Sequence, residues 1–266
     1  MNRPDPAQRP GIVDIRDNLI GNGSTPVTDM TDNGFWTCPP DRKVNGSGEY
    51  TITILHPPFP TTAELAAHDP ARARRFAETL GTVDAVLDEL PLTNTVSTFP
   101  TTRADLDVIK VGCWGNITGI SDPALADNGN ACPLLEETET LHQRHPDARI
   151  VGSVSNDMGE THCENTVHLP EGLMLHYEGW DSTLWNLTGD PHAILRALGI
   201  TPESLAGHDA ELDEEDPSGT NWHAFGNLAL GPHDPWHVET VQMSAFRVRH
   251  TKDHTTLMEE VWRFED

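Results

Sequence analysis

Lysine is nearly absent. The 266-residue chain has only Lys43, Lys110 and Lys252, and its 17 Lys+Arg stand against 42 Asp+Glu, a formal net charge of −25. Such a surface repels phosphate backbones and anionic lipid, so neither direct nucleic-acid binding nor a membrane partner is expected. A protein or small-molecule partner remains open, as does a DNA mimic that blocks a basic protein. The same bias is also a proteome-wide habit of high-GC or salt-adapted organisms, and it speaks first to solubility. Cysteine is scarce too: Cys38, Cys113, Cys132 and Cys163 contain no C-x-x-C pair, which removes the zinc-ribbon and thioredoxin patterns. No apolar run approaches the ~20 residues of a membrane-spanning helix. The opening MNRPDPAQRPGIVDIRDNLIGNG lacks the apolar stretch of a secretory signal. A cytoplasmic protein with free thiols is the expectation. P-loop, G-x-G-x-x-G, H-E-x-x-H, G-x-S-x-G and EF-hand patterns are missing as well, which removes the best-signalled enzyme classes without excluding an enzyme.

Residues 1–34 are rich in Pro, Gly, Asn and Asp and read as a disordered leader, with Met30 as an alternative start of translation. Residues 35–266 read as one domain. Tyr50, Ile52 and Ile54 alternate with Thr51, Thr53 and Leu55, a strand that His56-Pro57-Pro58 ends. Asp69-Pro70 opens a helix with Ala73, Phe76, Ala77 and Leu80 on one face and Gly81 as its stop. Val83, Val86, Leu87 and Leu90 repeat that spacing and predict a second helix halted by Pro91. Leu106 to Trp114 is a central strand that turns at Gly115-Asn116 into Ile117–Ile120. Leu134, Thr138 and Leu141 mark a helix, and Asp190-Pro191 starts another that ends at Gly199. Trp222, Phe225 and Leu228 mark a short one. Phe246 and Val248 alternate with Arg247 and Arg249 as a strand, and Leu257–Phe264 reads as its neighbour, with Glu259 and Glu260 facing the arginines and helix as the alternative.

The most informative stretch is 149–180, three consecutive strands. If Val167, Leu169, Leu173, Leu175 and Tyr177 face the core, period-two alternation puts His162, Glu164, Thr166 and His168 on the other face of one strand. Met174, His176 and Glu178 share that face on the next. The commoner arrangement for such a face is polar and solvated, and this is the first expectation. The second is a divalent metal held by His162, Glu164, His168, His176 and Glu178, since imidazoles and carboxylates on adjacent strands are zinc-type ligands. Cys163 beside a histidine is a further candidate, as a nucleophile or, with Cys113 or Cys132, as a thiolate ligand. His233 and His237 flank Pro235 and read as a turn. Trp180 and Trp185 flank a turn and are candidate pocket walls; the other reading closes the ends of the core with them.

HPPFP at 56–60, DPALADNG at 122–129, RALGITPESL at 196–205 and FRVRHT at 246–251 resemble an uncharacterised actinobacterial, Streptomyces-type family of unknown function. The likeness implies no activity, cofactor or catalytic residue. From the residues, the expectation is a single α+β domain. Its sheet is largely antiparallel or mixed, of about six to eight strands, with helices packed mainly on one face. The first functional expectation is a non-enzymatic binding or regulatory module. A metal-dependent hydrolase on the His/Glu face and a DNA mimic are the alternatives.

Overall fold

Every residue from Tyr50 to Leu55 is buried, polar threonines included. A segment closed on both faces belongs in mid-sheet, and neighbours pair with it on both sides. The computed structural model describes residues 35–264 except 46, 60–63, 97–98, 128, 130, 158 and 181–182. The chain divides into two units, Met1–Thr37 and Cys38–Asp266. Of the first, the 3-10 turn Phe35–Thr37 is described; the expected leader and the alternative start at Met30 lie outside the described residues. The second contains β1 (Val44–Asn45), β2 (Ser47–Leu55), α1 (Pro70–Ala77), β3 (Val83–Asn94), β4 (Val108–Trp114), β5 (Ile117–Ser121), α2 (Pro133–Arg144), β6 (Arg149–Asp157), β7 (Thr161–Leu169), β8 (Leu173–Trp180), β9 (Thr183–Thr188), α3 (Pro191–Leu198), α4 (Pro202–Leu205), α5 (Trp222–Asn227), β10 (Gln242–His250), α6 (Lys252–Val261) and β11 (Arg263–Phe264). Nine strands form one antiparallel sheet in the order β3-β10-β4-β5-β2-β6-β7-β8-β9, and β1 pairs with β11 apart from it. The α+β class therefore holds. Among the described residues no helix is long and apolar enough to cross a membrane.

Helices cover both faces of this sheet rather than mainly one. On β6, Val151 lies against Gly226 of α5, whereas the next residue, Gly152, lies against Leu134 of α2. Successive strand residues point to opposite faces, so α5 and α2 are on opposite sides. The α5 side holds an apolar core of Val151, Val167, Leu175, Tyr177, Leu195, Trp222 and Phe225. Gly152 is what lets α2 sit down on its side: a Cβ there would stand 2.6 Å from Thr166 Oγ1 and 2.8 Å from Leu134 Cδ1.

Two segments depart from expectation. Residues 83–94 are an edge strand, not a helix, and Pro91 is tolerated because β3 pairs on one side only. The helix-like spacing is a product of bulges. Val83, Ala85, Val86, Asp88, Glu89 and Leu90 have partners on β10, whereas Asp84 and Leu87 are skipped by shifts in register. Each extra residue breaks the period-two pattern, and the skipped Leu87 is 50% exposed. Residues 252–261 are helix α6, the alternative considered for that segment, capped by Thr251 Oγ1 at the His254 N–H. Across from Arg249 stands Asp84 rather than Glu259 or Glu260, with Asp84 Oδ2 2.7 Å from Arg249 Nε, and Arg247 is in register with Asp88 of β3 and Val108 of β4.

Gly81 does not cap α1, which ends at Ala77. Its N–H donates instead to both oxygens of Glu137 on α2, at 3.2 and 3.1 Å. Glu137 is buried, and burial pushes its carboxyl up to about 7, against the opposing pull of the Gly81 bond. A carboxyl with a raised folded-state pKa binds its proton more tightly folded than unfolded. Its contribution is complete below about 4.5 and is lost as pH rises through about 7. Wild-type stability should therefore fall across that window, by less than about 1.4 kcal/mol per pH unit from this group. Glu137→Gln should flatten the fall in urea unfolding at pH 5 and pH 8. An unchanged slope contradicts the assignment.

Candidate metal centre

The register of β7 on β8 builds the site. Glu164 is directly opposite Glu178, Thr166 opposite His176, His162 opposite Trp180 and His168 opposite Met174. All point to the α2 side. The expectation of a solvated face is overturned: His162 and Glu164 are 0% exposed, His176 2% and Glu178 6%. The reason is the helix. α2 starts with Pro133 at its first turn, directly after Cys132, and its buried Leu134, Thr138 and Leu141 lie on the strands. A polar strand face has become an interior.

Inside it the contacts are crossed. His176 Nε2 lies 3.1 Å from Glu164 Oε1, and His162 Nε2 lies 3.3 Å from Glu178 Oε1. The Leu135 N–H, in the first turn of α2, donates to Glu164 Oε1 at 3.2 Å. Cys132 Sγ donates to Glu178 Oε2 at 3.8 Å. Asp127 Oδ1 accepts from the Ala131 N–H at 3.1 Å, and its carbonyl accepts from Asn156 Nδ2 at 3.3 Å. The Trp180 ring stands 4.9 Å from that of His162. Burial pushes the Glu164 carboxyl up, whereas the His162 hydrogen bond holds that of Glu178 down. Burial and the surrounding carboxylates push the Cys132 thiol far up.

These contacts leave polar atoms stranded. Glu164 Oε2, Thr166 Oγ1 and His162 Nδ1 are buried with no hydrogen-bond partner among the described residues. A buried polar group left unpaired costs about 1–3 kcal/mol, and more when charged. Like charges directly opposite on neighbouring strands also repel. Two sets of donor atoms lie within 4.8 Å of one another here: Cys132, Glu164 and His176, and Asp127, Cys132 and Glu178. A thiol, an imidazole and carboxylates suit a borderline-soft ion such as zinc better than calcium or magnesium, which take oxygen alone.

Of the residues expected to ligate, His162, Glu164, His176 and Glu178 are brought together. His168 is not among them: its Nε2 bonds Thr138 Oγ1 at 3.2 Å and its ring stacks on His142 at 5.3 Å. Burial and the neighbouring His142 hold its imidazole down at about 4. Cys163 faces the other side, packed against the apolar core, and Cys113 lies near Thr118. Cys132 and Asp127 were the ligand-type residues that spacing did not reveal. The one local signal was a cysteine directly before the proline of a helix start, Cys132-Pro133. His233 is buried and His237 exposed, so the two share no face. Cavities of about 530 Å³ (His192, Leu195, Glu211, Glu214) and about 630 Å³ (His68, Leu92, Trp114, Val238) lie elsewhere; the Trp185 side chain lies outside the described residues. None of the four thiols is in a disulfide.

Two serine–histidine contacts are wired against nucleophilic catalysis. His68 Nδ1 accepts from the Cys113 N–H, so its proton is on Nε2, which donates to Ser244 Oγ at 3.0 Å. Asn227 Nδ2 donates to His223 Nε2, so Nδ1–H donates to Ser153 Oγ at 2.8 Å, and the hydroxyl donates onward to Asn165 Oδ1. Neither imidazole presents a lone pair to its serine.

Fold and site together define an α+β protein with a largely buried Cys/His/carboxylate cluster between a sheet and a helix, its Cys132 half-buried. The chain belongs to the family of unknown function DUF6333, whose model matches residues 35–265. No curated protein and no solved structure matches it.

Proposed function

We propose that this chain is a non-enzymatic metal-binding module. Cys132, Glu164 and His176 hold a divalent ion of the zinc class. The observation that carries the reading is Glu164: a fully buried carboxyl with Oε1 engaged by His176 and Leu135, and Oε2 without a partner among the described residues, inside a set of three donors within 4.8 Å. The spacing fits. Two zinc bonds of about 2.1 Å at a tetrahedral angle set their donors roughly 3.4 Å apart, and His176 Nε2 and Glu164 Oε1 are 3.1 Å apart. Enclosure favours holding over hydrolysis, because a zinc hydrolase keeps a coordination position that substrate can reach. Free thiols, one of them a ligand, suit a reducing cytoplasm.

The test is the metal content of tag-free protein purified without chelator. Wild type should carry zinc or a neighbouring transition ion, His176→Ala should carry less, Cys132→Ser should carry none, and His168→Ala should retain the wild-type amount. Wild-type protein that stays metal-free even after refolding in zinc sinks the reading. Loss in His168→Ala alone moves the site.

A further inference from the structure

The two donor sets share one atom, Cys132 Sγ. On one side of it stand Glu164 and His176, on the other Asp127 and Glu178. We propose that the chamber holds two divalent ions bridged by the Cys132 thiolate. This rests on the metal-binding reading above and deepens it.

Charge balance allows two ions. Asp127, Cys132, Glu164 and Glu178 all bind metals as anions, and the imidazoles as neutral groups. With one divalent ion bound, the two acids left over must keep their protons, because uncompensated charge in a buried space is penalised heavily by low dielectric. Two ions make the count neutral. The sheet supplies the spacing. Glu164 and Glu178 are direct cross-strand partners, so their backbones are about 4.5–5.5 Å apart. Ions in two-metal sites lie roughly 3.5–4 Å apart, so each carboxylate serves its own ion. Cys132 Sγ and Glu178 Oε2, 3.8 Å apart, are close to the roughly 3.6 Å that a thiolate and a carboxylate oxygen span on one zinc. The second set has its own supports. His162 Nε2 holds Glu178 Oε1, the outer-sphere partner expected of a ligating carboxylate. The Ala131 N–H holds Asp127 Oδ1. Asp127 and Glu178 are an ordinary acidic pair when taken alone. The bare, buried oxygen of Glu164 and the shared thiol mark the chamber as a place for cations.

The experiment is a zinc titration of chelator-stripped, reduced full-length protein, with bound ion measured after desalting. Two ions per chain are expected in wild type, and one in the near-isosteric Asp127→Asn/Glu178→Gln double variant. Cadmium NMR on the wild type should give two resonances, both in the thiolate-shifted range and both lost in Cys132→Ser. One ion in wild type overturns the bridge but leaves the metal-binding reading standing; none overturns both. Two ions retained by the double variant place the second ion elsewhere and overturn the inference. Should the variant fail to fold, the wild-type count and the two cadmium signals decide alone.

Discussion

Zinc added to the chelator-stripped protein is expected to raise its unfolding free energy by about 4 kcal/mol when free ion stands a thousandfold above the dissociation constant. The gain is available because the donors come from three elements that only folding assembles. Cys132 precedes α2, Glu164 is on β7 and His176 on β8. An unfolded chain offers the same groups without the geometry, so the ion binds the native state preferentially. The apo fold also carries costs that the ion relieves: the unpaired Glu164 Oε2 and the opposed carboxylates of Glu164 and Glu178. Urea unfolding in a zinc buffer and in chelator measures the difference. Cys132→Ser, which removes the donor common to both sets, should unfold at the same midpoint in both. Identical wild-type midpoints with and without zinc remove the metal from any role in this fold.

The alternation in residues 162–178 disclosed which side chains share a face, because strand parity needs nothing but the sequence. It did not disclose what lies over that face. A polar strand surface reads as solvated unless something covers it, and α2 is a weak signal: three inward positions, Leu134, Thr138 and Leu141, one of them polar. Asp127 was invisible, and Cys132 was raised only as a partner of Cys163, for a related reason. They sit on a loop with no periodicity, and only the packing of α2 over Gly152 brings them above β7 and β8. The misreading of 83–90 has the opposite origin. There the local pattern was strong and false, since bulges at Asp84 and Leu87 turn a two-residue period into one that mimics a helix. Asp-Pro starts and glycine stops were dependable where they acted locally, as at Asp190 and the left-handed Gly199, φ 71°.

Trp262→Ala is expected to cost about 3–5 kcal/mol, the range for deleting a buried aromatic side chain. Trp262 follows α6 and is among the largest fully buried side chains. Its ring meets that of Tyr50 edge-on at 5.4 Å, and its Nε1–H donates to the Pro123 carbonyl at 3.4 Å. The truncation therefore opens a cavity, removes an aromatic pair and strips a donor from a buried turn. The damage extends toward the Cys132, Glu164 and Glu178 cluster by a traceable route. Tyr50 OH donates to Asn156 Oδ1 at 3.2 Å, and Asn156 Nδ2 donates to the Asp127 carbonyl at 3.3 Å. Tyr50→Phe separates the two effects: it keeps the ring and breaks only that link, at about 1–3 kcal/mol for the buried amide oxygen left unpaired. Both variants should loosen Asp127 and lower affinity at the donor set that includes it, while the set with Glu164 and His176 keeps its strength. Urea unfolding reads the stability, and a zinc titration reads the two affinities. A loss below about 1 kcal/mol in Trp262→Ala contradicts the packing. An equal loss at both sets means that the chamber weakens with the fold rather than through the Asn156 link.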